Sequence, residues 1–450
     1  MTGSRSPARR AEQAAARALA AAFLAGEEWT AQALRERGAV SLGIGARRLG
    51  PLVRDVLAVH HRPPLDRPRE LADLVAAAPA FGRLSGRARA RGDRLRVAAW
   101  PVAPTRMVRR PWPVAPLDDV GDLADLLGTD AAHLAWLADP LQRQRRTAPG
   151  LLHHYRYRWQ ARPHAAPRLL EAPLPRLAAR QRTLLREVLA LVPVHPAAHG
   201  FVGGRSVATA LRPHAGADVL VCLDLAAFFA SVTAGRVYGL FRAAGYPEPV
   251  AHLLTGLTTV RAPVAVVARM PPGGTPEQRF ELRHRLARGH LPTGAPTSPA
   301  LANLAAYHLD ARIAGLAARL DARYTRYADD LILSGGPPLR RGADRLVRAV
   351  TRIAAEEGFA VNPAKTRVRV RSQRQLVLGA VVNERPTVPR EEYDRLRAVL
   401  HNAVRTSGEA QNREGRPDFR ARLTGQVAWV ASLDPARGAR LRAALARVEW

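Results

Sequence analysis

The segment "ARYTRYADDLILSG", residues 322–335, decides the fold of this chain. Two strand-like runs flank a pair of adjacent acids, Asp329 and Asp330, which predicts a hairpin with the acids at its tip. Two neighbouring aspartates usually mark only a solvated turn. Apolar sequence on both sides favours a functional interpretation here, because carboxylates beside a buried strand are costly unless they face solvent or hold cations.

Three more strand-like segments surround this hairpin. The first, "DVLVCLDLAAFFASV" (218–232), begins as a continuous apolar run that ends at Asp224. The others are "FAVNPAKTRVRV" (359–370) and "QLVLGAVVN" (375–383). Helical patterns at 235–257, 297–320 and 340–357 separate the strands. This alternation predicts an α/β or α+β sheet domain.

The remaining sequence is predicted to be mainly helical. Helical periodicity covers residues 1–78, 176–192 and the stretch after Val388, while "HHYRYRWQ" (153–160) and "RLLEAPLP" (168–175) predict a second hairpin. Residues 82–116 are rich in Arg and Pro and show little periodicity. They are either a basic arm or only a solvated connection.

Composition points to a polyanionic partner. The chain of 450 residues has a net charge of +31, which favours nucleic acid, with an anionic membrane surface as the alternative. Arginine-rich coding in a high-GC genome accounts for part of this charge. Cys222 is the one cysteine, so the sequence excludes an intrachain disulfide and a zinc site built from Cys pairs. No run approaches the roughly 18 apolar residues of a membrane span, which predicts a cytoplasmic protein.

The acids at the strand ends suit divalent cations. Asp224 and the pair Asp329-Asp330 offer only oxygen ligands, which magnesium prefers together with substrate phosphates. Two such ions about 4 Å apart activate an attacking hydroxyl and stabilise a leaving oxyanion. Asp310, Asp321 and Asp344 lie in polar helical surroundings and are predicted to be surface residues.

Five segments in order resemble the palm motifs of bacterial retron-type reverse transcriptases: "LDLAAFFASV", "LPTGAPTSPALANL", "YTRYADDLILS", "GFAVNPAKTRV" and "LVLGAVVN". The resemblance covers about residues 116–450, through "AHGFVGGRSV" upstream and "GQVAWVASLDPARGARL" downstream. It implies an α+β right-hand polymerase. The implied parts are a helical extension (1–81), a basic linker (82–115), fingers (116–215), a palm with an antiparallel sheet (216–387) and a helical thumb (388–450).

The resemblance also implies roles for individual residues. Asp224, Asp329 and Asp330 would be the catalytic ligands of two Mg²⁺ ions, with Mn²⁺ as the substitute. Phe229 matches the bulky steric gate that excludes a ribose 2′-OH, and Phe228 is the better core candidate. Gly294, in "PTGAPTSP" (292–299), would approach the incoming nucleotide. Many relatives have glutamine at the position of Thr293, and Arg162 and Arg168 are candidates for the triphosphate.

Lys365 is the one lysine among 69 Lys and Arg residues. It falls at the position of the family's motif D lysine, which is thought to protonate the departing pyrophosphate. A lysine ammonium gives up its proton far more readily than a guanidinium, which explains why arginine would not serve there. Chance survival of one lysine is the alternative interpretation.

The resemblance to retron-type reverse transcriptases implies an RNA-directed DNA polymerase that copies a structured noncoding RNA into short single-stranded DNA. The resemblance also implies priming from a 2′-OH of that RNA and a role in phage defence. The expected partners include an effector protein encoded nearby and no membrane. The expected substrates are dNTPs and an RNA–DNA hybrid. Two signatures depart from the family: "ALRPH" (210–214) keeps His214, and "VLG" (377–379) replaces Val-Thr-Gly.

Two alternatives stay open. One is another bacterial reverse transcriptase, either a maturase-like enzyme or a template-independent defence polymerase. The other is a noncatalytic RNA-binding subunit, against which the intact Asp224, Asp329, Asp330 and Lys365 argue.

Overall fold

The structure, a computed structural model, describes residues 7–147, 150, 153–162 and 165–450. Residues 1–6 of the predicted N-terminal extension therefore lie outside the described part. The chain divides into two compact units. The first comprises Met1–Val192 and Thr233–Ser298, and the second comprises Pro193–Val232 and Pro299–Trp450.

A helical core opens the first unit. Its helices span Pro7–Leu24, Ala31–Leu42, Gly50–Val59, Pro68–Ala77 and Pro79–Ala90, with a 3-10 turn at Ala46–Leu49. Leu19, Phe23 and Leu52 are buried in the common core, as their helical spacing predicts. The helix Pro79–Ala90 was not predicted. Proline at its first position favours helix initiation, and Phe81 is buried, so residues 82–90 are helix rather than linker.

The rest of the first unit combines a hairpin with helices. Strands β1 (Tyr155–Gln160) and β2 (Arg168–Pro173) pair antiparallel, which confirms the second predicted hairpin. The helices span Val120–Leu126, Ala131–Ala138, Pro175–Glu187, Ala234–Ala243, Glu248–Thr258, Val264–Ala268 and Pro276–Leu286, with 3-10 turns at Arg143–Arg145 and Leu189–Leu191.

The predicted helix over 235–257 is interrupted at Gly245, whose φ is +99°. A Cβ there would lie 1.8 Å from the Arg109 carbonyl oxygen, so only glycine lets the two backbone segments approach.

A four-stranded antiparallel sheet forms the centre of the second unit. Its strands are β3 (Val219–Asp224), β4 (Arg323–Tyr327), β5 (Asp330–Gly335) and β6 (Arg367–Val370), in the order β4-β5-β3-β6. Strand β3 is apolar up to Asp224 because it lies between two neighbours and is covered on both faces. The mixed helix and sheet class is as predicted, and the antiparallel pairing settles it as α+β.

Two predicted strands are shorter than expected. In "FAVNPAKTRVRV" only β6 is a named strand, because Asn362 caps a 3-10 turn at Pro363–Lys365 that interrupts the pairing. "QLVLGAVVN" forms a small hairpin, β7 (Leu376–Val377) and β8 (Ala380–Val381), rather than one strand.

The helices of the second unit cover the sheet and form the C-terminal end. They span Val207–Leu211, Phe228–Ser231, Ser298–Ala305, Tyr307–Arg319, Pro337–Arg341, Ala343–Glu356, Arg390–Arg405, Gly408–Gln411, Phe419–Leu433 and Pro435–Leu445, with a further 3-10 turn at Arg212–His214. Leu400, Leu423 and Val427 are buried between the C-terminal helices. Within the described ranges, no helix has the length and apolar character needed to cross a membrane.

Candidate active site

The three predicted acids meet at one end of the central sheet. Asp224 is the last residue of β3 and pairs in register with Asp330, the first residue of β5. Asp329 immediately precedes Asp330, and its carbonyl oxygen accepts a hydrogen bond from the Leu225 amide at 2.9 Å. Antiparallel pairing therefore brings side chains more than 100 positions apart in sequence to one edge of the sheet.

Backbone turns with unusual geometry adjoin this edge. Ala227 follows Asp224 with φ +50°, and Ala328 precedes Asp329 with φ +55°. Both alanines occupy the left-handed region, which L-residues enter only when the surroundings hold them there, and such strain clusters at functional sites. Gly200 lies against the second turn, where a Cβ would be 2.5 Å from the Ala328 amide nitrogen. Only glycine fits at position 200.

A buried arginine holds the tip of the hairpin. Arg326, on β4, is fully buried and forms a bidentate ion pair with Asp310, at 2.8 and 2.7 Å. Its Nη1 donates to the Ala328 carbonyl oxygen and to Asn303 Oδ1, both at 2.9 Å. Asn303 in turn donates to the Gly200 carbonyl oxygen at 2.8 Å. The turn that carries Asp329 is thus fixed from beneath by charged hydrogen bonds.

Asp310 is the clearest error of the sequence interpretation. We expected a surface residue, but Asp310 is fully buried. Its surroundings in sequence are helical and polar, and only its partner on β4 reveals why a carboxylate is buried there. The Arg326–Asp310 pair gives no local sequence signal beyond an aspartate on the apolar face of the helix Tyr307–Arg319.

Lys365 reaches the acids directly. Its Nζ contacts Asp224 Oδ2 at 2.6 Å, and 49% of the lysine side chain remains exposed. The Asn362 amide donates to the Asp224 carbonyl oxygen at 2.7 Å, so the turn before Lys365 is attached to the end of β3. The one lysine of the chain therefore lies at the acidic edge, with access to solvent.

The donor set has the chemistry of a divalent-cation site. Burial, then the neighbouring Asp329 and Asp224 carboxylates, raises the pKa of Asp330 to about 6, whereas Lys365 lowers it. Three carboxylates thus concentrate negative charge that a hard cation would neutralise. Among the described residues, however, no group of three or more His, Cys, Asp or Glu side chains is placed to hold a metal ion. The Lys365 ammonium occupies one Asp224 oxygen that a cation would need.

Phe229 and Phe228 differ as the sequence predicts. Phe228 is buried, with its ring 5.7 Å from that of Phe359, whereas Phe229 is half-buried. Phe229 lies 6.3 Å from the ring of Phe201, which is 56% exposed. Phe201 was not singled out from the sequence, although it lies in "AHGFVGGRSV", a segment similar to the family's fingers.

The other predicted nucleotide-binding residues belong to the first unit. Gly294 is exposed with φ +123°, which favours glycine, and a Cβ there would meet the Glu171 carbonyl oxygen at 3.4 Å. Arg168 is exposed at the start of β2, and Arg162 is half-buried after β1. In that unit the Glu171 amide also donates to the Thr293 carbonyl oxygen at 2.8 Å, which attaches the turn of Gly294 to β2.

A buried ion pair reinforces that attachment. His290 Nε2 lies 3.0 Å from Glu171 Oε2, and both side chains are 1% exposed. Burial lowers the pKa of His290, but the Glu171 carboxylate and the Arg288 carbonyl together raise it further, and the net shift is upward. Sequence reasoning missed this pair, because a lone histidine before "LPTG" has no partner nearby in the sequence.

His214 ends a 3-10 turn and is also a core residue. It is fully buried, and its ring nitrogens contact the Ser334 and Thr325 hydroxyls at 2.7 and 2.8 Å. Burial, followed by the charges of His199 and Arg323, lowers the pKa of His214 to about 3, so the ring is neutral. It joins β4 to β5 beside the site.

Comparisons with known proteins identify the family of this chain. A family model described as reverse transcriptase (RNA-dependent DNA polymerase) matches residues 176–382. The retron Mx162 reverse transcriptase of Myxococcus xanthus is 40% identical over 349 residues, which cover 74% of this chain and 67% of the relative. The retron Mx65 reverse transcriptase of the same species is 43% identical over 281 residues, which cover 61% of this chain and 60% of that relative.

A more distant relative is the retron Ec86 reverse transcriptase of Escherichia coli. It is 29% identical over 291 residues, which cover 64% of this chain and 78% of the relative. The chain therefore belongs to the reverse transcriptase family. Within that family it is of the bacterial retron type.

Proposed function

We propose that the protein is an RNA-directed DNA polymerase that copies part of a structured noncoding RNA into short single-stranded DNA. The observation that carries this proposal is the meeting of Asp224, Asp329 and Asp330 at one sheet edge, with Lys365 on Asp224. Priming from a 2′-OH within the RNA and a role in phage defence, with an effector protein as partner, follow from the likeness to retron enzymes. The assignment of fingers to 116–215, palm to 216–387 and thumb to 388–450 belongs to the same proposal.

The acids and the lysine have separate tasks. Asp224, Asp329 and Asp330 would hold two divalent ions, Mg²⁺ or Mn²⁺, which would favour deprotonation of the attacking hydroxyl and stabilise the negative charge of the leaving pyrophosphate. Lys365, at 2.6 Å from Asp224 in this structure, would leave that carboxylate and donate its proton to the departing pyrophosphate. Its exposed side chain has the freedom for this exchange.

Nucleotide selection is assigned to Phe229 in the second unit and to three residues of the first unit. Phe229 would lie under the sugar and exclude a 2′-OH, with its ring backed by Phe228. Gly294 would allow the nucleotide to approach the backbone, and Arg162 and Arg168 would contact the triphosphate. The sugar would thus be selected by steric exclusion at Phe229, and the triphosphate would be bound by the charge of the two arginines.

The test is to express the protein with its flanking DNA and to analyse the nucleic acid that copurifies, with Asp329→Ala as the control. A short DNA joined covalently to RNA, and absent from the variant, is the expected product. RNA bound equally by both proteins without DNA would instead favour a noncatalytic RNA-binding subunit. DNA unlinked to RNA would indicate a differently primed or untemplated polymerase.

A further inference from the structure

An arginine-rich segment outside the family match has an ordered and unusual surface. Residues 82–115 contain nine arginines and one acid, Asp93. All nine arginines are exposed, and among the described residues only Arg89 forms an ion pair, with Glu12. The segment therefore concentrates positive charge that the rest of the described protein does not neutralise.

After a turn at residues 91 and 92, the segment has neither helix nor strand, bends at Ala98 and Val108, and is attached to the helical core. The Ala98 amide donates to the Ser41 carbonyl oxygen at 2.8 Å, and the Ser41 hydroxyl donates to the Ala99 carbonyl oxygen at 3.0 Å. The Met107 amide donates to Asp118 Oδ1 at 2.7 Å. Leu95 packs on the hydrophobic core of the N-terminal helices. These contacts attach the segment to the helical core, which favours a basic arm over a simple solvated connection.

Exposure alternates along residues 94–108, as on a strand with one covered face, except at Ala99, which is exposed like its two neighbours. The inward residues Leu95, Val97, Pro101, Ala103, Thr105 and Met107 are half-buried. The outward residues are Arg94, Arg96, Ala98, Trp100, Val102, Pro104, Arg106 and Val108, all exposed. Trp100 is 59% exposed, which is unusual for so large an aromatic side chain. Arginines and an open indole thus share one face.

We propose that residues 91–110, hereafter the basic track, bind single-stranded nucleic acid through Arg94, Arg96 and Arg106 on phosphates and Trp100 stacked on a base. Outward residues of an extended chain repeat about every 6.6 Å, comparable to the step between phosphates of a stretched single strand. An indole with an open face stacks on an unpaired base, whereas bases within a duplex are already stacked.

The same features disfavour an anionic membrane as the partner. Membrane-surface binding by a basic segment usually relies on an amphipathic helix with a continuous apolar face. The basic track contains no helix, and on its exposed face Ala98, Trp100, Val102 and Pro104 stand between Arg96 and Arg106. The proposal goes beyond the polymerase function, since the basic track lies before the matched residues 176–382.

The test measures binding without nucleotides, so that it does not depend on catalysis. Fluorescence anisotropy of short oligouridylate RNA and oligothymidylate DNA would be followed from about 50 to about 200 mM salt, with the full-length protein. Replacing Arg94, Arg96 and Arg106 together by alanine should lower the slope of log affinity against log salt by about 2, at roughly 0.7 per lost phosphate contact. Trp100→Ala should weaken binding about tenfold with an unchanged slope.

A matched control removes the same charge elsewhere. Arg345, Arg348 and Arg352 are exposed on the helix Ala343–Glu356, and their joint replacement by alanine should leave the slope closer to that of the wild type. An equal decrease of the salt slope in both triple variants would overturn the proposal, because the decrease would then depend on net charge alone and not on the position of the arginines. Thermal unfolding of each variant verifies that the fold is retained.

Crosslinking locates the contact. A 4-thiouridine oligonucleotide should crosslink to a peptide within residues 91–110, and Trp100→Ala should reduce that crosslink. Crosslinks confined to other residues, an equal loss of duplex and single-strand binding in the triple arginine variant, or equal binding to vesicles rich in anionic lipid would each contradict the basic track. Preference for RNA or for DNA identifies template or product as the ligand, and either supports the proposal.

Discussion

At the scale of single residues, substitution of Lys365 distinguishes a role of its positive charge from a role as proton donor. Lys365→Arg keeps a cation near Asp224, but a guanidinium does not release its proton at neutral pH. We expect the single-turnover rate of nucleotide addition to fall about 100-fold or more, within the range for loss of a general acid. Rapid-quench extension of oligo(dT) on poly(A) measures this rate.

The control for Lys365 lies two positions away. Arg367 is exposed on β6 and donates to the Ala364 and Thr366 carbonyl oxygens. Arg367→Lys makes a conservative exchange between the same two side-chain types and should leave the rate nearly unchanged. A wild-type rate for Lys365→Arg would remove the proton-donor role and leave only an ion pair.

Phe229 and Phe228 make a second matched pair. Phe229→Ala should reduce the preference for dNTPs over rNTPs, because a half-buried ring is removed where the sugar is proposed to lie. Phe228→Ala should instead destabilise the fold by about 3–5 kcal/mol, because that ring is buried. Competition between dTTP and UTP in primer extension measures the first effect, and urea denaturation measures the second. Unchanged sugar discrimination in Phe229→Ala would rule out the gate.

The residues predicted from sequence share a local signature, and those missed do not. Asp224, Asp330 and Lys365 stand beside apolar strands or within a recognisable motif, so their positions could be predicted. Asp310 and His290 are buried because of partners 16 and 119 positions away. Such pairing depends on which elements meet in space, and a single sequence does not encode that in any local pattern.

At the scale of elements, the hairpin β4–β5 depends on the buried ion pair beneath it. Asp310→Asn leaves Arg326 buried without its counter-charge and should destabilise the protein by about 3–5 kcal/mol. Asp344 was predicted, like Asp310, to be a surface residue, and it is exposed. Asp344→Asn should lower the free energy of unfolding by about 0.5 kcal/mol or less. Urea denaturation of both variants measures the difference, and equal stability of the two would contradict the supporting role of the pair.

The hairpin β1–β2 depends on a pair with a pH signature. The pKa of His290 is raised on folding by Glu171, so the pair stabilises the protein fully below about pH 6.5. This stabilisation is lost as the pH rises through the raised pKa of folded His290. The thermal midpoint of wild type minus that of Glu171→Gln should therefore shrink from about pH 6 to about pH 9. A difference in thermal midpoint that does not change with pH would show that the stabilisation does not depend on the charge of His290.

Sequence patterns predicted which elements exist better than where they end. Continuous apolar runs identified β3 and β5, since buried strands need apolar residues on both faces. The pattern overestimated the strand at 359–370, because Asn362 and Pro363 start a turn within it. It also missed the helix Pro79–Ala90, whose arginines obscure a short apolar face.

At the scale of the whole molecule, a net charge of +31 acts on stability. Like charges repel in the folded state, and salt screens this repulsion over about 10 Å at 0.1 M. We expect the thermal midpoint to rise as sodium chloride increases from about 20 to about 150 mM. Substoichiometric RNA should produce a similar rise at low salt. Differential scanning fluorimetry measures both, and a midpoint that falls with added salt would contradict this account.

The single lysine beside Asp224 also gives the chain a selective chemical handle. Within this sequence, acylating reagents that react with amines find one side chain, that of Lys365, which is 49% exposed. One covalent label would therefore report on the acidic edge without any engineered cysteine. Protection of that label by a bound primer-template and nucleotide would give an occupancy assay for the site, read by mass spectrometry rather than by turnover.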